Sequence, residues 1–185
     1  MMKIIFCIAM NAIRTTYFKT VFGELILGEY NAQLCLCDWR YRKMRTAIDQ
    51  RLKTLLQADF VEEETDTVAL AMQQLNEYFK GERTVFDIPM MLAGSEFQQK
   101  VWQALLQIPF GKTDTYLGLS NKLQNPKAIR AVAAANGANA ISIIVPCHRI
   151  IGSNGELVGY AGGLKAKQQL LNLEREGSGQ MELFE

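Results

Sequence analysis

One histidine, four cysteines and four prolines are spread over a chain of 185 residues. With a single imidazole, any chemistry that needs histidine has one place to happen. The four cysteines, Cys7, Cys35, Cys37 and Cys147, are enough for two disulfides, but a chain of this size without a secretory context keeps them reduced. Fourteen glycines include no G-x-G-x-x-G and no phosphate loop, so neither a dinucleotide nor ATP is implied and no cofactor is expected. No apolar run approaches the roughly 18 residues of a membrane span, so no membrane partner is expected. Met1-Met2-Lys3 followed by Ile4 to Ala9 mimics a signal peptide. Its basic region is minimal and no clear small-x-small cleavage site follows, so a leading strand or extension and a cytoplasmic protein are expected.

An excess of either charge is also missing: 20 Lys and Arg stand against 19 Asp and Glu, a net +1. The whole molecule therefore carries no footprint for nucleic acid. The halves differ. Residues 1–93 hold 11 basic and 12 acidic side chains, whereas 94–175 hold 9 basic and 4 acidic, a local +5. Lys112, Lys122, Lys127, Arg130 and Arg149 face Asp114 alone within one stretch, a candidate polyanion surface. A hydrophobic fraction of 49% with 21% charged residues is that of a folded globular chain with room for one large or two small domains.

Thr16–Thr20, Glu24–Glu29 and Gln33–Trp39 are short runs of β-branched, aromatic and aliphatic residues parted by turn signals, which predicts an antiparallel meander. Ile48, Leu52, Leu55 and Leu56 recur at helical spacing over 42–57. Val68, Met72, Leu75 and Phe79 do so over 66–80, where Gly81 stops the helix. Residues 87–94 read as a linker. After it, Ser95 and Gln98 form a capping box for a helix with Phe97, Val101, Leu105 and Ile108 on one stripe. A short helix from Tyr116 to Leu123 follows. Asn125 suits an N-cap, Pro126 a first helical position and Gly137 the end of a second helix, the order of a helix-turn-helix. The expected division is an α+β domain over 1–92, a mostly helical domain over 93–177 and a frayed tail over 178–185.

On the second helix Ile129, Val132 and Ala133 fall on one side, with Lys127, Arg130, Ala131 and Ala134 opposite. That outward face is small and basic: alanines let the backbone approach a groove wall and leave Arg130 projecting beside Lys127. An Ala-rich helix wedged between neighbours is the alternative. Ile141–Val145 reads as a buried strand ending at Pro146. Cys147 and His148 come next, a thiol beside the sole imidazole, where a reactive cysteine belongs. In the last helix Leu164, Lys167, Leu170, Leu171 and Glu174 share a stripe. A carboxylate among leucines needs a partner. Either Glu174 pairs with Lys167, or it orients His148 and forms with Cys147 a relay of the hydrolase-triad kind.

Pro146-Cys147-His148-Arg149-Ile150-Ile151-Gly152 and Gly159-Tyr160-Ala161-Gly162-Gly163-Leu164 resemble the active-site signature of the O6-alkylguanine-DNA alkyltransferases, or methylated-DNA-protein-cysteine methyltransferases. Pro126 to Val132 resembles their recognition helix, Phe110-Gly111 with Tyr116 their approach segment, and Phe22-Gly23-Glu24-Leu25 their N-terminal domain. The likeness covers Thr16 to Glu176. It implies an α+β chain with a ribonuclease H-like N-terminal domain and a helical, winged-helix-like C-terminal domain. It also implies an enzyme that acts once, moving the alkyl group of O6-alkylguanine in double-stranded DNA onto itself, with O4-alkylthymine left open as a second substrate.

By this resemblance Cys147 is the alkyl acceptor, His148 its base through a water, and Glu174 the group that orients His148. Asn139 holds the active-site loop, and Tyr116 meets the flipped guanine and assists proton transfer. Arg130 fills the gap in the base stack, Lys127, Ala131 and Ala134 meet DNA, and Tyr160, Ala161 and Gly162 shape the pocket. Ala161 departs from members that carry serine there, leaving backbone amides to bond the guanine O6 region. Some members bind zinc in the N-terminal domain through Cys and His. Cys7, Cys35 and Cys37 have no histidine to join them, so no metal is expected, although three cysteines with another ligand stay open. A monomer is expected. Two further readings are a thiol hydrolase using Cys147, His148 and Glu174, and a non-catalytic lesion binder similar to the alkyltransferase-like proteins, which lack the acceptor cysteine.

Overall fold

The computed structural model describes residues 11–177, so the expected leading strand over 4–9, Cys7 and the tail over 178–185 lie outside the described residues. Strands β1 (Ala12–Thr20), β2 (Gly23–Tyr30) and β3 (Gln33–Trp39) form the meander expected from their composition. Asn31 and Ala32, both at positive φ, make the two-residue hairpin between β2 and β3, a turn whose twist matches the strands. The Glu29 carboxylate accepts from the Ala32 amide at 2.6 Å and helps hold alanine in that unfavoured conformation. A fourth strand, β4 (Asp59–Glu62), escapes sequence reading because it is short and largely exposed; it pairs parallel with β1, giving the order β3-β2-β1-β4.

Both faces of this sheet are covered. Helix α1 (Arg45–Leu56) buries Ile48 and Leu52 with Ile13, Cys35 and Leu36. Helix α2 (Asp66–Phe79) buries Val68, Ala71, Leu75 and Tyr78 against Leu25, Leu27 and Leu34 on the other side. The expected stripe of α2 is therefore turned slightly, with Met72 and Phe79 half-buried at its rim.

The segment read as a linker lies along β3, where Leu34 donates to Pro89 O at 2.8 Å and Met91 to Leu34 O at 2.9 Å. Beyond it α3 (Glu96–Leu106) begins with the Ser95–Gln98 capping box, formed as expected. Helices α4 (Tyr116–Lys122) and α5 (Ile129–Gly137) pack on α3, and the Trp102 indole donates to Ala135 O at 2.8 Å. Strands β5 (Asp114–Thr115) and β6 (Ile150–Ile151) pair parallel, and α6 (Gly163–Gly177) is the last element of the described residues. One apolar cluster runs from the sheet through Val101, Trp102, Val132 and Leu170. Among the described residues no helix is long and apolar enough to cross a membrane.

Two local expectations change. Asn125 makes no side-chain cap; Pro126–Ala128 forms a 3-10 turn and α5 starts only at Ile129. Gly137 ends the helix as expected, with Ala138 as its cap. Ile141–Val145 is buried but is a tight turn instead of a strand. Ile141 bridges Cys37, Ser142 bridges Val145, and Ile143 sits at φ 72°, a conformation costly for a β-branched residue.

Candidate active site

Cys147 opens a 3-10 turn, Cys147–Arg149, directly after Pro146. The residue is 3% exposed, and its sulfur accepts a hydrogen bond from the Asn139 carboxamide nitrogen at 3.2 Å. Asn139 fixes the segment before the cysteine: its amide also donates to Val145 O at 2.9 Å and Ile141 O at 3.3 Å, and its oxygen accepts from Ile141 N at 2.9 Å. Burial pushes the thiol pKa up, and the Asn139 hydrogen bond opposes that shift. Cys147 is thus a thiol at rest and needs a base to become a nucleophile.

The buried imidazole of His148 lies 2.9 Å, at Nε2, from Glu174 Oε1. Facing a carboxylate, Nε2 carries the proton, which leaves Nδ1 with a lone pair; Nδ1 is buried and has no partner among the described residues. Burial lowers the His148 pKa despite Glu174, so the ring is a neutral base at pH 7.

Glu174 is the most heavily bonded carboxylate of the site. Oε1 accepts from Tyr78 Oη at 2.7 Å and from Arg149 Nη2 at 2.9 Å. Oε2 accepts from Arg149 Nε at 2.9 Å and from Gly111 N at 3.2 Å. Although burial alone would raise its pKa, the bonds from His148 and Arg149 bring it down to about 2.

The alternative partner for Glu174 is excluded. Lys167 is buried, but its ammonium donates to Ile150 O at 2.5 Å and Val158 O at 2.6 Å, tying α6 to the two ends of the loop after Cys147. Desolvation takes its pKa down to about 8. Leu164, expected on the buried stripe, is 49% exposed at the start of α6.

A cavity of about 890 Å³ reaches Cys147. Its lining brings together Cys147, Asn139, Tyr116, Tyr160, Ala161 and Gly162. Tyr116 is half-buried, and burial together with Cys147 raises its phenol pKa. Trp39, from the N-terminal sheet, forms another wall, edge-on to Tyr160 with ring centres 5.8 Å apart. Gly162 leaves room for that wall, since a Cβ at its position would run into the Trp39 ring.

Lys127, Arg130, Ala131 and Ala134 are all exposed on the turn and helix expected to carry them. Ile129 joins them at 38% exposure, and the inner face of α5 is instead Val132, Ala135 and Asn136. Tyr78, Arg149, Trp39 and Lys167 are the contributors that sequence reasoning missed in these positions. Arg149, counted above with the candidate polyanion surface, is instead buried with its guanidinium on Glu174, and its one signal was its place directly after the histidine; Tyr78 and Trp39 are distant in sequence and look like ordinary core residues. Cys35 and Cys37 are free and buried, and burial drives the Cys35 thiol up to about 12 and that of Cys37 higher. Among the described residues no group of three or more His, Cys, Asp or Glu is placed to hold a metal ion.

Fold and site define a two-part protein: a layered α/β unit joined to a helical unit that carries a helix-turn-helix and a buried cysteine backed by a histidine–glutamate pair. Residues 13–92 match the family model described as 6-O-methylguanine DNA methyltransferase, ribonuclease-like domain. Residues 96–176 match that of the DNA binding domain of the same proteins. A constitutive methylated-DNA–protein-cysteine methyltransferase of Bacillus subtilis is 41% identical over 169 residues, covering 86% of this chain and 94% of the relative. One from Mycobacterium bovis is 53% identical over 105 residues, which span 57% of this chain and 64% of that relative's length. Among solved structures, the Mycobacterium tuberculosis protein described as OGT in complex with DNA superposes with a TM-score of 0.75 at 38% identity, covering 90% of this chain and 94% of the other. The chain belongs to the 6-O-methylguanine DNA methyltransferase family.

Proposed function

We propose that this protein repairs double-stranded DNA by taking the alkyl group of an O6-alkylguanine onto Cys147, once per molecule. The observation that carries the reading is a buried Cys147 thiol at the cavity wall, followed in the chain by a neutral imidazole whose Nε2 is held by an ionised carboxylate. The alkylated base is out of reach inside a duplex, so its nucleotide is flipped into the cavity, and a lesion that weakens pairing lowers the cost of extrusion. Lys127 contacts a phosphate, Ala131 and Ala134 allow close approach of α5, and Arg130 takes the place of the extruded base. Tyr160, Ala161 and Gly162 enclose the guanine.

The chemistry then follows from the protonation states. The Cys147 proton passes through a water to Nδ1 of His148, and Glu174 stabilises the imidazolium that results. The thiolate attacks the alkyl carbon, a sulfur–carbon bond forms and the bond from carbon to O6 breaks with its electron pair leaving on the guanine. Tyr116 assists proton delivery to the base, so that the proton lost by Cys147 is balanced by the one gained there and an ordinary guanine is left in the DNA. The thioether left on Cys147 is inert to water, which makes the reaction single-turnover. No cofactor enters this scheme.

The remaining parts of the reading are a monomer acting in the cytoplasm, with the domain limits 1–92 and 93–177 and a tail over 178–185. The test is substitution of the nucleophile. Cys147→Ala is expected to bind O6-methylguanine duplex as the wild type does while transferring no methyl group. Undiminished transfer by Cys147→Ala would refute the assignment.

A further inference from the structure

We infer that Arg42, from the N-terminal half of the chain, is a positioning residue for Cys147, acting through Asn139. The inference rests on the reading of Cys147 as the reactive thiol. The Asn139 amide spreads two N–H groups over Cys147 Sγ, Val145 O and Ile141 O, so its grip on the sulfur depends on where its backbone sits. That backbone is held from outside its own domain. Arg42 Nη1 donates to Asn139 O at 2.9 Å and Nη2 to Gly137 O at 2.6 Å, so one planar guanidinium spans the end of α5 and the residue that bonds the thiol.

The guanidinium is itself fixed. Asp38, fully buried at the end of β3, accepts from Arg42 Nη1 at 2.6 Å through Oδ2. Asp38 Oδ1 accepts from Ser142 Oγ at 3.0 Å, three residues beyond Asn139. Backbone bonds complete the clasp, with Cys37 donating to Ala140 O at 2.9 Å and Ser142 to Cys37 O at 2.6 Å. Every support of residues 137–142 named here comes from the stretch Cys37–Arg42. Arg45 supplies an internal control: it shares Asp38 at 3.1 Å, but its other bonds go to Asp49.

The charged and titratable groups around Cys147 are Asp38 and Arg42 from the N-terminal half, Lys167 from α6, Tyr116 from α4, Tyr160 from the following loop and the adjacent His148. A positioning role must therefore be separated from a direct effect of the Arg42 charge. The experiment measures the pH midpoint of Cys147 alkylation by iodoacetamide, located by peptide mass mapping, together with the rate of benzyl transfer from free O6-benzylguanine and the thermal midpoint.

Arg42→Ala is expected to raise the alkylation midpoint by about one pH unit and slow benzyl transfer about tenfold at neutral pH, since one unit is a tenfold change in thiolate. Arg42→Lys keeps the charge and the fold but cannot bridge two carbonyls, so its midpoint falls between those of Arg42→Ala and the wild type. Arg45→Ala lowers the thermal midpoint and leaves the alkylation midpoint in place. In an Asn139→Ala background Arg42→Ala adds no further shift.

An unchanged midpoint in Arg42→Ala and Arg42→Lys overturns the inference, as does a shift that persists without Asn139, which would assign the effect to charge alone. A wild-type protein that takes the iodoacetamide label but no benzyl group would refute the proposed function, while the midpoints still decide the role of Arg42.

Discussion

Glu174 accepts hydrogen bonds from Tyr78, Gly111, His148 and Arg149, and no other side chain of the site ties together so many segments. Glu174→Gln keeps the size but removes the charge that stabilises a protonated His148 and that balances buried Arg149. Methyl transfer is expected to slow, the pH dependence of Cys147 alkylation to move upward, and duplex affinity to hold; unchanged rates would make Glu174 purely structural. The same residue sets a pH window for stability. Its folded pKa of about 2 lies below the ordinary 4.5, so its contribution, on the order of 3 kcal/mol, is present above pH 4.5 and lost as pH falls through 2. His148 acts in the same sense higher up, since its pKa is lowered by burial and the unfolded ring takes up a proton near pH 6.5 that the folded one refuses. Urea midpoints measured across this range are expected to fall with pH in the wild type and to flatten at the acid end in Glu174→Gln. The His148–Glu174 pair was legible because a lone carboxylate on a leucine stripe and a lone histidine each need a partner. Tyr78 was not legible, because a tyrosine 96 positions away that buries its ring like any core residue shows its hydroxyl contact only after folding.

In the proposed function, DNA binding and chemistry fall to different elements around the site. The exposed face of α5 and its preceding turn presents Arg130 and Lys127 among small residues. Arg130→Ala is expected to impair duplex repair far more than reaction with free O6-benzylguanine, because a free base needs no extrusion. Equal slowing of both reactions would return Arg130 to a structural role. Lys127→Ala is expected to weaken binding to any DNA and to lower the salt slope by about one unit, the loss of one phosphate contact. Sequence periodicity located this helix and its basic face but misplaced Ile129, which stands in the first turn of α5 at the edge of the buried arc that Val132, Ala135 and Asn136 form. The misreading of Ile141–Val145 has its own cause. Composition identified a buried β-branched run, but the chain reverses within it to deliver Cys147, and left-handed Ile143 is a choice that no propensity predicts.

At the scale of the molecule, the two halves share one apolar cluster and one cavity, so neither half alone contains the site. Trp39 lies against Gly162 closely enough that Gly162→Ala drives its methyl group into the indole. That overpacking is expected to cost about 1–3 kcal/mol in denaturant unfolding and to slow benzyl transfer; a neutral substitution would show that the wall yields. The two-part organisation was readable from the shift in charge and periodicity near residue 90. The clasp of Asp38 and Arg42 on residues 137–142 was not, because local patterns hold no information on which surfaces meet. Intact-mass analysis after incubation with excess O6-methylguanine duplex decides whether Cys147 is a stoichiometric alkyl acceptor. A gain of one methyl group per chain is expected, mapped to Cys147, after which repair stops; continued turnover with the protein mass unchanged would show that Cys147 is not the acceptor.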